Sequence, residues 1–458
     1  MKITDNSSHI FDNEKDFNNL IRIANQSIDE IKLDENPNLL VFPQKWRQGM
    51  GKKDFGKMPQ ICSLHKHSDC NYKLSTGNVM GFVGINDTEL TISSRFCHDK
   101  GDFFLHYMLA KVFNINVVNL DLSKGNGNYY DFLPYLFPAY LQNALSQGLF
   151  KQYKRNQYND ANVKGVIDVS RHIRINIPFA GKIAYNTREH SYDNDITQLV
   201  RHTIEYLRVR PIGHTVLTSN DDTRQNTSKI EFATPTFKKS DLQKVLRANQ
   251  KLLNHPYFTK YKDLQILCKL ILQREYTTFG NEKDKIHGIL FDGAWLWEEY
   301  IATVFNEHKK GITHKIGTDK LFEKDDVGKN QGIIPDFIAY KNRPLTASFI
   351  GDTKYKHIDT KNNREDYFQI ITYMYRYSCK TGYLIFPIDK ENKEDYMKGR
   401  ERVIAGGKEN ASKVIELGLK IPQIEKTFSD FQNLIKESEI RLIKTILCPN
   451  SNPPSTTS

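Results

Sequence analysis

The rhythm of hydrophobic and polar positions divides the chain into three regions. Over roughly the first 130 residues, polar stretches mix with short alternating runs, and GFVGI, NDT and ELTIS together predict a β-hairpin with its turn. From Leu133 to about residue 285, apolar residues recur every three or four positions, a pattern typical of helices. The predicted helices are YLFPAYLQNALSQGLFKQY, DITQLVRHTIEYLRV and DLQILCKLILQREY. Between the first two, GVIDVSRHIRINIP is predicted to be extended.

In the third region, helical and strand-like periods alternate. GILFDGAWLWEEYIATVFNEH predicts a helix, and ITHKIG, GIIPDFIAY and TASFIGDTKYK predict strands. REDYFQIITYMYRYS then predicts a helix and GYLIFP a strand, which gives the order αβββαβ. A further strand, KVIELGLKIP, and a helix, IEKTFSDFQNLIKESEIRLIKTIL, follow.

These patterns predict an α/β protein of several domains. We expect a mixed α+β N-terminal region over residues 1–132, suited to docking a partner, and a mainly helical middle region over residues 133–285. The αβββαβ segment and its extension form a C-terminal domain over residues 286–447. The tail, residues 448–458, is too polar and too rich in Pro and Ser to pack.

Composition narrows the class of protein. Hydrophobic residues make up 39% of the 458 positions, enough for packed cores, so extensive disorder is excluded. No apolar run approaches the roughly 18 residues that would cross a bilayer, and the start lacks the apolar core of a signal peptide, so we expect a cytoplasmic protein without a membrane segment. Lys and Arg number 65 against 54 Asp and Glu, a net charge of +11 that favours a polyanionic partner such as double-stranded DNA.

The candidate chemistry lies on the predicted strands of the C-terminal domain. Asp352 and Lys354 close the apolar run ASFIG, and residues two apart on a strand point to the same side. Asp336 interrupts the apolar run GIIPDFIAY, where an acid is costly to bury unless it is paired or bound to metal. On the helix before these strands, either Glu298 or Glu299 can reach the same place, and we favour Glu298.

Taken singly, each of these residues has an ordinary structural explanation as a surface ion pair, a turn cap or a solvated helix charge. Their order along the chain indicates more. An acid on a helix, an acid on a strand and an acid-x-Lys on the next strand are what metal-assisted phosphodiester cleavage requires. Asp336, Asp352 and Glu298 are therefore predicted to hold Mg²⁺, and Lys354 is predicted to orient or help deprotonate a water molecule.

The segments IIPDFIAY, FIGDTKYK and REDYFQIITYMY resemble the PD-(D/E)xK nucleases, and among these the McrC-like subunits of McrBC and LlaJI-type restriction systems. In the third segment, Gln369 and Tyr373 match the Q-x-x-x-Y pattern that follows the catalytic Lys in such nucleases. The resemblance extends loosely over most of the chain, through NVMGFVGINDTELTISSRF, QGLFKQY, GVIDVSRHIR and SYDNDITQLVRHTIEYL. It departs at Ser94-Arg95, where McrC-like chains tend to have Pro-Lys.

This resemblance implies the DNA-cleaving subunit of a phage-defence restriction system, with Gln369 and Tyr373 added to the site. It also implies a separate McrB-like AAA-type NTPase partner, which binds the GTP or ATP in place of this chain. Two alternatives remain open. One is a stand-alone repair nuclease of the same fold that cuts without NTP, and the other is a DNA-binding assembly subunit without activity.

Two further motifs are weaker. The run from Gly51 to Met58 is one residue short of a phosphate-binding loop, because Met58 replaces the hydroxyl residue that would ligate Mg²⁺, so a basic loop that contacts DNA or a partner is favoured. Four residues in an unusual zinc-like spacing fit a surface loop equally well. They are Cys62, His65, His67 and Cys70.

Overall fold

The computed structural model describes most of the chain. The described residues are 1–31, 36, 38–43, 59–68, 71–97, 102–113, 133–210, 213–273, 286–308, 311–315, 319–321, 332–340, 347–358, 364–389, 394–405, 411–423 and 427–447. The chain forms two compact units, one of Met1–Gly127 with Asp284–Ser458 and one of Asn128–Lys283. The mixed α/β class is confirmed. Within the described residues, no helix is both long and apolar enough to span a bilayer.

The N-terminal part of the first unit is built mainly from strands. Its elements are β1 Lys2–Thr4, β2 Ser8–Phe11, α1 Glu14–Leu20, β3 Asn38–Phe42, β4 Cys62–Ser68, β5 Asn71–Thr76, β6 Val79–Ile85, β7 Thr88–Ser93 and α2 Phe103–Val112. The predicted hairpin is β6 and β7, which pair antiparallel. Asn86 adopts a φ of 53° in its turn, a conformation that Asn tolerates better than most residues. A separate three-stranded sheet has the order β2-β5-β4.

The second unit joins helices to a small sheet. Its elements are α3 Leu133–Leu145, β8 Gln152–Asp160, β9 Val166–Ile167, α4 Val169–Ile175, β10 Ile183–Ser191, α5 Asp195–Arg208, α6 Gly213–Leu217, α7 Asp221–Ala233, a 3₁₀ helix Lys239–Asp241, α8 Leu242–Ala248 and α9 Lys260–Gln273. The segment GVIDVSRHIRINIP was predicted to be extended, and this was wrong, because most of it forms α4. Asp168 caps that helix by accepting a hydrogen bond from the Arg171 backbone N–H at 3.1 Å. The long strands β8 and β10, which pair antiparallel, also make this unit less helical than predicted.

The C-terminal part of the first unit carries the predicted strands. Its elements are β11 Ile286–Asp292, α10 Gly293–His308, β12 Ile312–His314, β13 Asp319–Lys320, β14 Gly332–Ile333, β15 Phe337–Tyr340, β16 Ala347–Thr353, α11 Arg364–Arg376, β17 Thr381–Ile388, α12 Glu394–Lys398, β18 Arg400–Val403, β19 Lys413–Lys420 and α13 Phe428–Leu447. Six strands form one sheet in the order β12-β15-β16-β17-β19-β18. The predicted strand GIIPDFIAY is divided into β14 and β15 around Pro335, which has no N–H to give to a ladder.

The helix prediction for the segment from Gly288 onward was partly wrong, because that segment begins as strand β11. This strand completes the N-terminal sheet, whose order is β1-β7-β6-β11-β3. Ile289, Leu290 and Phe291 are fully buried there, and such a short apolar run does not distinguish a central strand from a buried helix. The helix α10 starts only after Asp292, whose side chain accepts hydrogen bonds from the backbone N–H groups of Ala294 at 2.8 Å and Trp295 at 3.1 Å. The N-terminal region and the C-terminal domain are thus parts of one compact unit.

A second junction within this unit is helical. Helix α2 packs against α10 and α13, with Tyr107 and Tyr300 in edge-to-face contact at 5.9 Å. Both hydroxyl groups donate hydrogen bonds to Glu439 on α13, at 2.9 and 2.8 Å. Glu439 is 1% exposed, and Lys111 on α2 lies 3.3 Å from its other oxygen. A buried carboxylate with three partners therefore fixes these helices to one another.

Candidate active site

The predicted site residues converge at one end of the six-stranded sheet. Strand β16 pairs antiparallel with β15 so that Phe337 lies opposite Gly351, which places Asp336 beside Asp352. On the other side β16 runs parallel to β17, and the Lys354 backbone N–H donates to the Ile385 carbonyl at 2.9 Å. The end of β16 is therefore held by backbone hydrogen bonds from both neighbours.

Asp352 and Lys354 form the centre of the site. The Lys354 ammonium lies 2.6 Å from an Asp352 carboxylate oxygen, and Asp352 is 2% exposed. Burial, together with Asp366 and Glu298, raises the pKa of Asp352 despite the opposing effect of Lys354. Burial alone would lower the pKa of Lys354, but the nearby carboxylates outweigh it and raise that pKa. The lysine is therefore a firmly protonated cation.

Asp336 is held by Thr353, the residue between Asp352 and Lys354. The backbone N–H and the hydroxyl of Thr353 both donate to the same Asp336 oxygen, each at 2.7 Å. Burial is the main reason that the pKa of Asp336 is raised well above its ordinary value, and the charges of Asp352 and Glu298 raise it further. Three carboxylates thus act on one another electrostatically, which is unfavourable unless a cation lies among them.

Glu298 is the helix carboxylate that acts on the two aspartates. It accepts a hydrogen bond from His314 Nε2 at 2.9 Å and lies 2.9 Å from Lys315 Nζ. Burial would raise the pKa of Glu298, but these two partners outweigh burial and lower it. Glu299 lies 3.6 Å from Lys315 and is not among the groups that raise the pKa of Asp336 or Asp352.

Helix α11 adds a polar chain on the other side of the lysine. Gln369 Oε1 accepts a hydrogen bond from Lys354 at 2.8 Å, and Gln369 Nε2 donates to the Tyr373 hydroxyl, also at 2.8 Å. The two residues lie one helical turn apart, so they share a face. Their contacts fix the direction in which the Lys354 side chain extends.

Several charged neighbours of the site were not predicted from the sequence. His314 is the last residue of the short strand β12 and Lys315 follows it, and the pairing of β12 with β15 cannot be derived from a local sequence pattern. Asp366, in the segment REDYFQIITYMY, was assigned no role from the sequence, and in the structure it lies 3.8 Å from Lys354 and 2.5 Å from Lys356. The repeated lysines of the segment DTKYK were the available signal for Lys356.

The oxygens of Asp336, Asp352 and Glu298 suit a hard cation such as Mg²⁺. The negative charges of Asp352 and Glu298 raise the pKa of Asp336, and a bound cation would offset this repulsion. The ligand oxygens of Asp336, Asp352 and Glu298 do not all lie within 4.8 Å of one another. Among the described residues, the trio that meets this distance is Glu307, His308 and Glu439. There the Lys111 ammonium already lies 2.5 Å from Glu307 and 3.3 Å from Glu439. Asp336 and Asp352 are thus the direct candidates. Glu298 contacts His314 and Lys315 through one and the same oxygen, Oε1.

The weaker motifs gain no support. The loop from Gly51 to Met58 lies outside the described residues, as does Cys70. Cys62 is buried in β4, and burial raises the pKa of its thiol to about 12, which disfavours the thiolate that zinc requires. His65 and His67 are exposed, whereas Cys62 faces the core.

A sequence profile identifies the family. The profile described as "McrBC 5-methylcytosine restriction system component" matches residues 74–387, more than half of the chain. The chain belongs to this McrBC family. The resemblance noted from the motifs is thereby confirmed. No curated protein matches the chain.

Two solved structures are similar to this McrBC family member. One is a half-complex from the tetradecameric assembly of Thermococcus gammatolerans McrB AAA+ hexamers with bound McrC, with a TM-score of 0.52 and 12% identity over 98% of this chain and 100% of that one. This likeness shows a shared fold. The other is the cryo-EM structure of the Thermococcus gammatolerans McrBC complex, with a TM-score of 0.33 and 15% identity over 68% and 88% of the two chains.

Proposed function

We propose that this McrBC family member is the Mg²⁺-dependent DNA-cleaving subunit of its restriction system, with a PD-(D/E)xK nuclease core. The observation that carries the proposal is that Asp336, Asp352 and Lys354 come together at one end of the six-stranded sheet. Family membership gives the restriction context, and the charge of +11 suits a DNA substrate.

In this proposal Asp336 and Asp352 hold the metal ion. Bound there, Mg²⁺ would neutralise charge on the scissile phosphate and acidify a water molecule. Thr353 fixes the orientation of Asp336 through its two hydrogen bonds, so the carboxylate needs little rearrangement. Asp352 and Gln369 together direct the Lys354 ammonium toward the reacting centre.

The charge state of Lys354 favours one of its two expected roles. Its raised pKa makes it a poor proton acceptor, so its contribution is to orient water and to stabilise the negative charge that develops on the phosphate. The group that accepts the proton of the attacking water would then be another residue or the phosphate itself. Gln369 and Tyr373 support the lysine and do not take part in proton transfer.

We further propose that an AAA-type NTPase subunit activates the cut. In the Thermococcus gammatolerans assembly, McrC is bound to McrB AAA+ hexamers. By the shared fold, the N-terminal part of the first unit or the second unit would dock on the corresponding partner here. GTP or ATP would be bound by that partner.

The test is cleavage of supercoiled plasmid by the full chain, with and without the NTPase encoded beside it. Each reaction is run with GTP, ATP or no nucleotide, and on DNA with and without 5-methylcytosine. We expect cutting only with Mg²⁺, partner and nucleotide together. Rapid cutting by the chain alone would instead favour a stand-alone repair nuclease, and no cutting under any condition would favour an inactive DNA-binding assembly subunit.

A further inference from the structure

The residue after the site lysine points away from the site and into the N-terminal sheet. Tyr355 is 5% exposed, whereas the neighbouring Lys354 faces the carboxylates. The Tyr355 hydroxyl shares a hydrogen bond with Ser94 Oγ at 2.9 Å and lies 3.2 Å from the sulfur of Met80. Met80 belongs to β6, and Ser94 directly follows β7, so both contacts are made by the N-terminal hairpin.

The Tyr355 ring is held as closely as its hydroxyl. The Arg95 guanidinium lies 4.8 Å from the ring centroid, and Phe96 contacts the ring edge-to-face at 5.4 Å. At Gly293, the first residue of α10, an added Cβ would lie 2.7 Å from a ring carbon. The ring therefore also packs against the start of the helix that carries Glu298.

Arg95 is itself held by two partners, of which Asp5 is buried. Its guanidinium lies 2.6 Å from an Asp5 oxygen and donates to Asn78 at 2.6 Å, and its side chain is 7% exposed. A further, longer bond of 3.4 Å reaches the Tyr355 carbonyl. Asn78 in turn accepts the backbone N–H of Gly293 at 2.7 Å. These groups link strands β1, β6 and β7 to the end of β16 and the start of α10.

We infer that Tyr355 is a positioning residue through which the N-terminal sheet holds Lys354 and the end of β16 in place for cleavage. The inference rests on the proposed nuclease function. A side chain bonded to two elements of the N-terminal sheet limits the local movement of its own backbone, and Lys354 is the adjacent residue.

The experiment compares Tyr355→Phe with Tyr107→Phe in the full chain. Each change removes one buried hydroxyl that bonds across the first unit, but the Tyr107 hydroxyl bonds Glu439, away from the site. Amide hydrogen exchange is measured on a peptide over residues 347–358, together with global stability. We expect exchange in that peptide to rise roughly five- to tenfold in Tyr355→Phe and to stay unchanged in Tyr107→Phe, as the loss of one buried hydrogen bond implies.

Cleavage kinetics with the partner NTPase supply the second readout. Tyr355→Phe is expected to lower kcat roughly tenfold at unchanged KM, because a misplaced group costs rate and not substrate binding. Ser94→Ala should act alike, and the double variant should add little to either single change. Unchanged exchange in Tyr355→Phe, or equal loss of rate in both tyrosine variants, would overturn the inference. If wild-type protein does not cut DNA, the nuclease proposal fails, while the exchange experiment still decides whether Tyr355 holds β16.

Discussion

At the scale of single residues, the candidate site contains more negative charge than its own lysines balance locally. The charge of Asp352 raises the pKa of Asp336, and the charge of Glu298 raises the pKa of both aspartates. Asp352 is buried and Asp336 is half-buried. This repulsion opposes folding in the absence of a bound cation. Removing one of the carboxylates should therefore lower activity without lowering the free energy of unfolding.

Asp336→Asn tests this directly. The amide can still accept the Thr353 hydrogen bonds through its oxygen but cannot donate a full negative charge to a metal ion. We expect cleavage to fall by roughly a hundredfold or more, while the free energy of unfolding stays equal or rises by about 1 kcal/mol. Plasmid cleavage and urea denaturation measure the two effects. A large loss of stability in the variant would show that Asp336 is a structural residue.

Lys354→Ala separates the lysine from metal binding. We expect single-turnover cleavage to fall by about a hundredfold, since the ammonium stabilises charge in the transition state. Mg²⁺ affinity by calorimetry should remain near that of the wild type because the lysine is not a ligand. Lys413→Ala is the matched control, since Lys413 is ion-paired with Glu401 at 2.7 Å at the other edge of the same sheet. Equal rates in both variants would remove Lys354 from the site.

At the scale of elements, local patterns predicted some parts of the fold well and others poorly. The hairpin β6–β7, the strands β16 and β17 and the helices α11 and α13 follow from periods of two and of three to four residues. Asp336, Asp352 and Lys354 were predicted to form one site because an acid on a strand followed by an acid-x-Lys on the next strand is the order that metal-assisted phosphodiester cleavage requires. His314 and Lys315 could not be placed, because their position depends on the register of β12.

Strand β11 shows why the remaining elements were missed. Its identity depends on β6 and β3, partners about 200 or more positions earlier in the chain, and no local period encodes them. The signal available was Gly288, which adopts a φ of 148° and at which an added Cβ would lie 2.3 Å from the Phe82 carbonyl oxygen. Glycine is required at this position because the backbone of β6 passes so close to it.

Gly288→Ala is therefore expected to destabilise the first unit by about 3 kcal/mol or more, since backbone and not a flexible side chain opposes the added methyl group. Gly77→Ala is the control, because an added Cβ there would meet nothing nearer than 3.9 Å. Its cost should stay below about 1 kcal/mol. Thermal unfolding of both variants measures the difference, and equal melting temperatures would contradict the described packing of β11 against β6.

The start of helix α2 gives a prediction on pH. Asp102 caps this helix by accepting from the Leu105 N–H at 3.1 Å, and burial raises its pKa to about 7. A carboxyl whose pKa is higher in the folded than in the unfolded protein stabilises the fold most below about pH 4, and this contribution is lost as the pH rises to 7.

Asp102→Asn cannot titrate, so it should abolish this loss. Between pH 5 and pH 7, we expect the unfolding free energy of the wild type to fall relative to that of the variant by roughly 1 kcal/mol per pH unit. The measurement is the free energy of unfolding of both proteins by denaturation at several pH values. Taking the difference at each pH removes the contribution of all other titrating groups. A constant difference between the two proteins would show that Asp102 is ionised in the fold throughout this range.

At the scale of the whole molecule, the positive charge predicts how the chain meets DNA. A net charge of +11 attracts phosphate without reading bases, so binding by the chain alone should depend on salt and not on sequence. In Ca²⁺, which should support binding with little cutting, we expect affinity for duplex DNA to fall by at least roughly tenfold between about 50 and 200 mM salt. Fluorescence anisotropy on two unrelated duplexes measures it, and a marked preference for one duplex would assign sequence recognition to this chain.

The position of β11 in the N-terminal sheet also has a consequence for how the protein is made on the ribosome. Translation delivers β3 and β6 first, then the entire second unit, and only afterwards the strand that lies between them. Until then both strands present open edges, which pair readily with other chains. A chain whose synthesis stops before residue 286 therefore lacks both the strand that completes the N-terminal sheet and every residue of the proposed catalytic site. Truncation of this kind would remove the proposed chemistry and leave the N-terminal sheet unfinished at the same time.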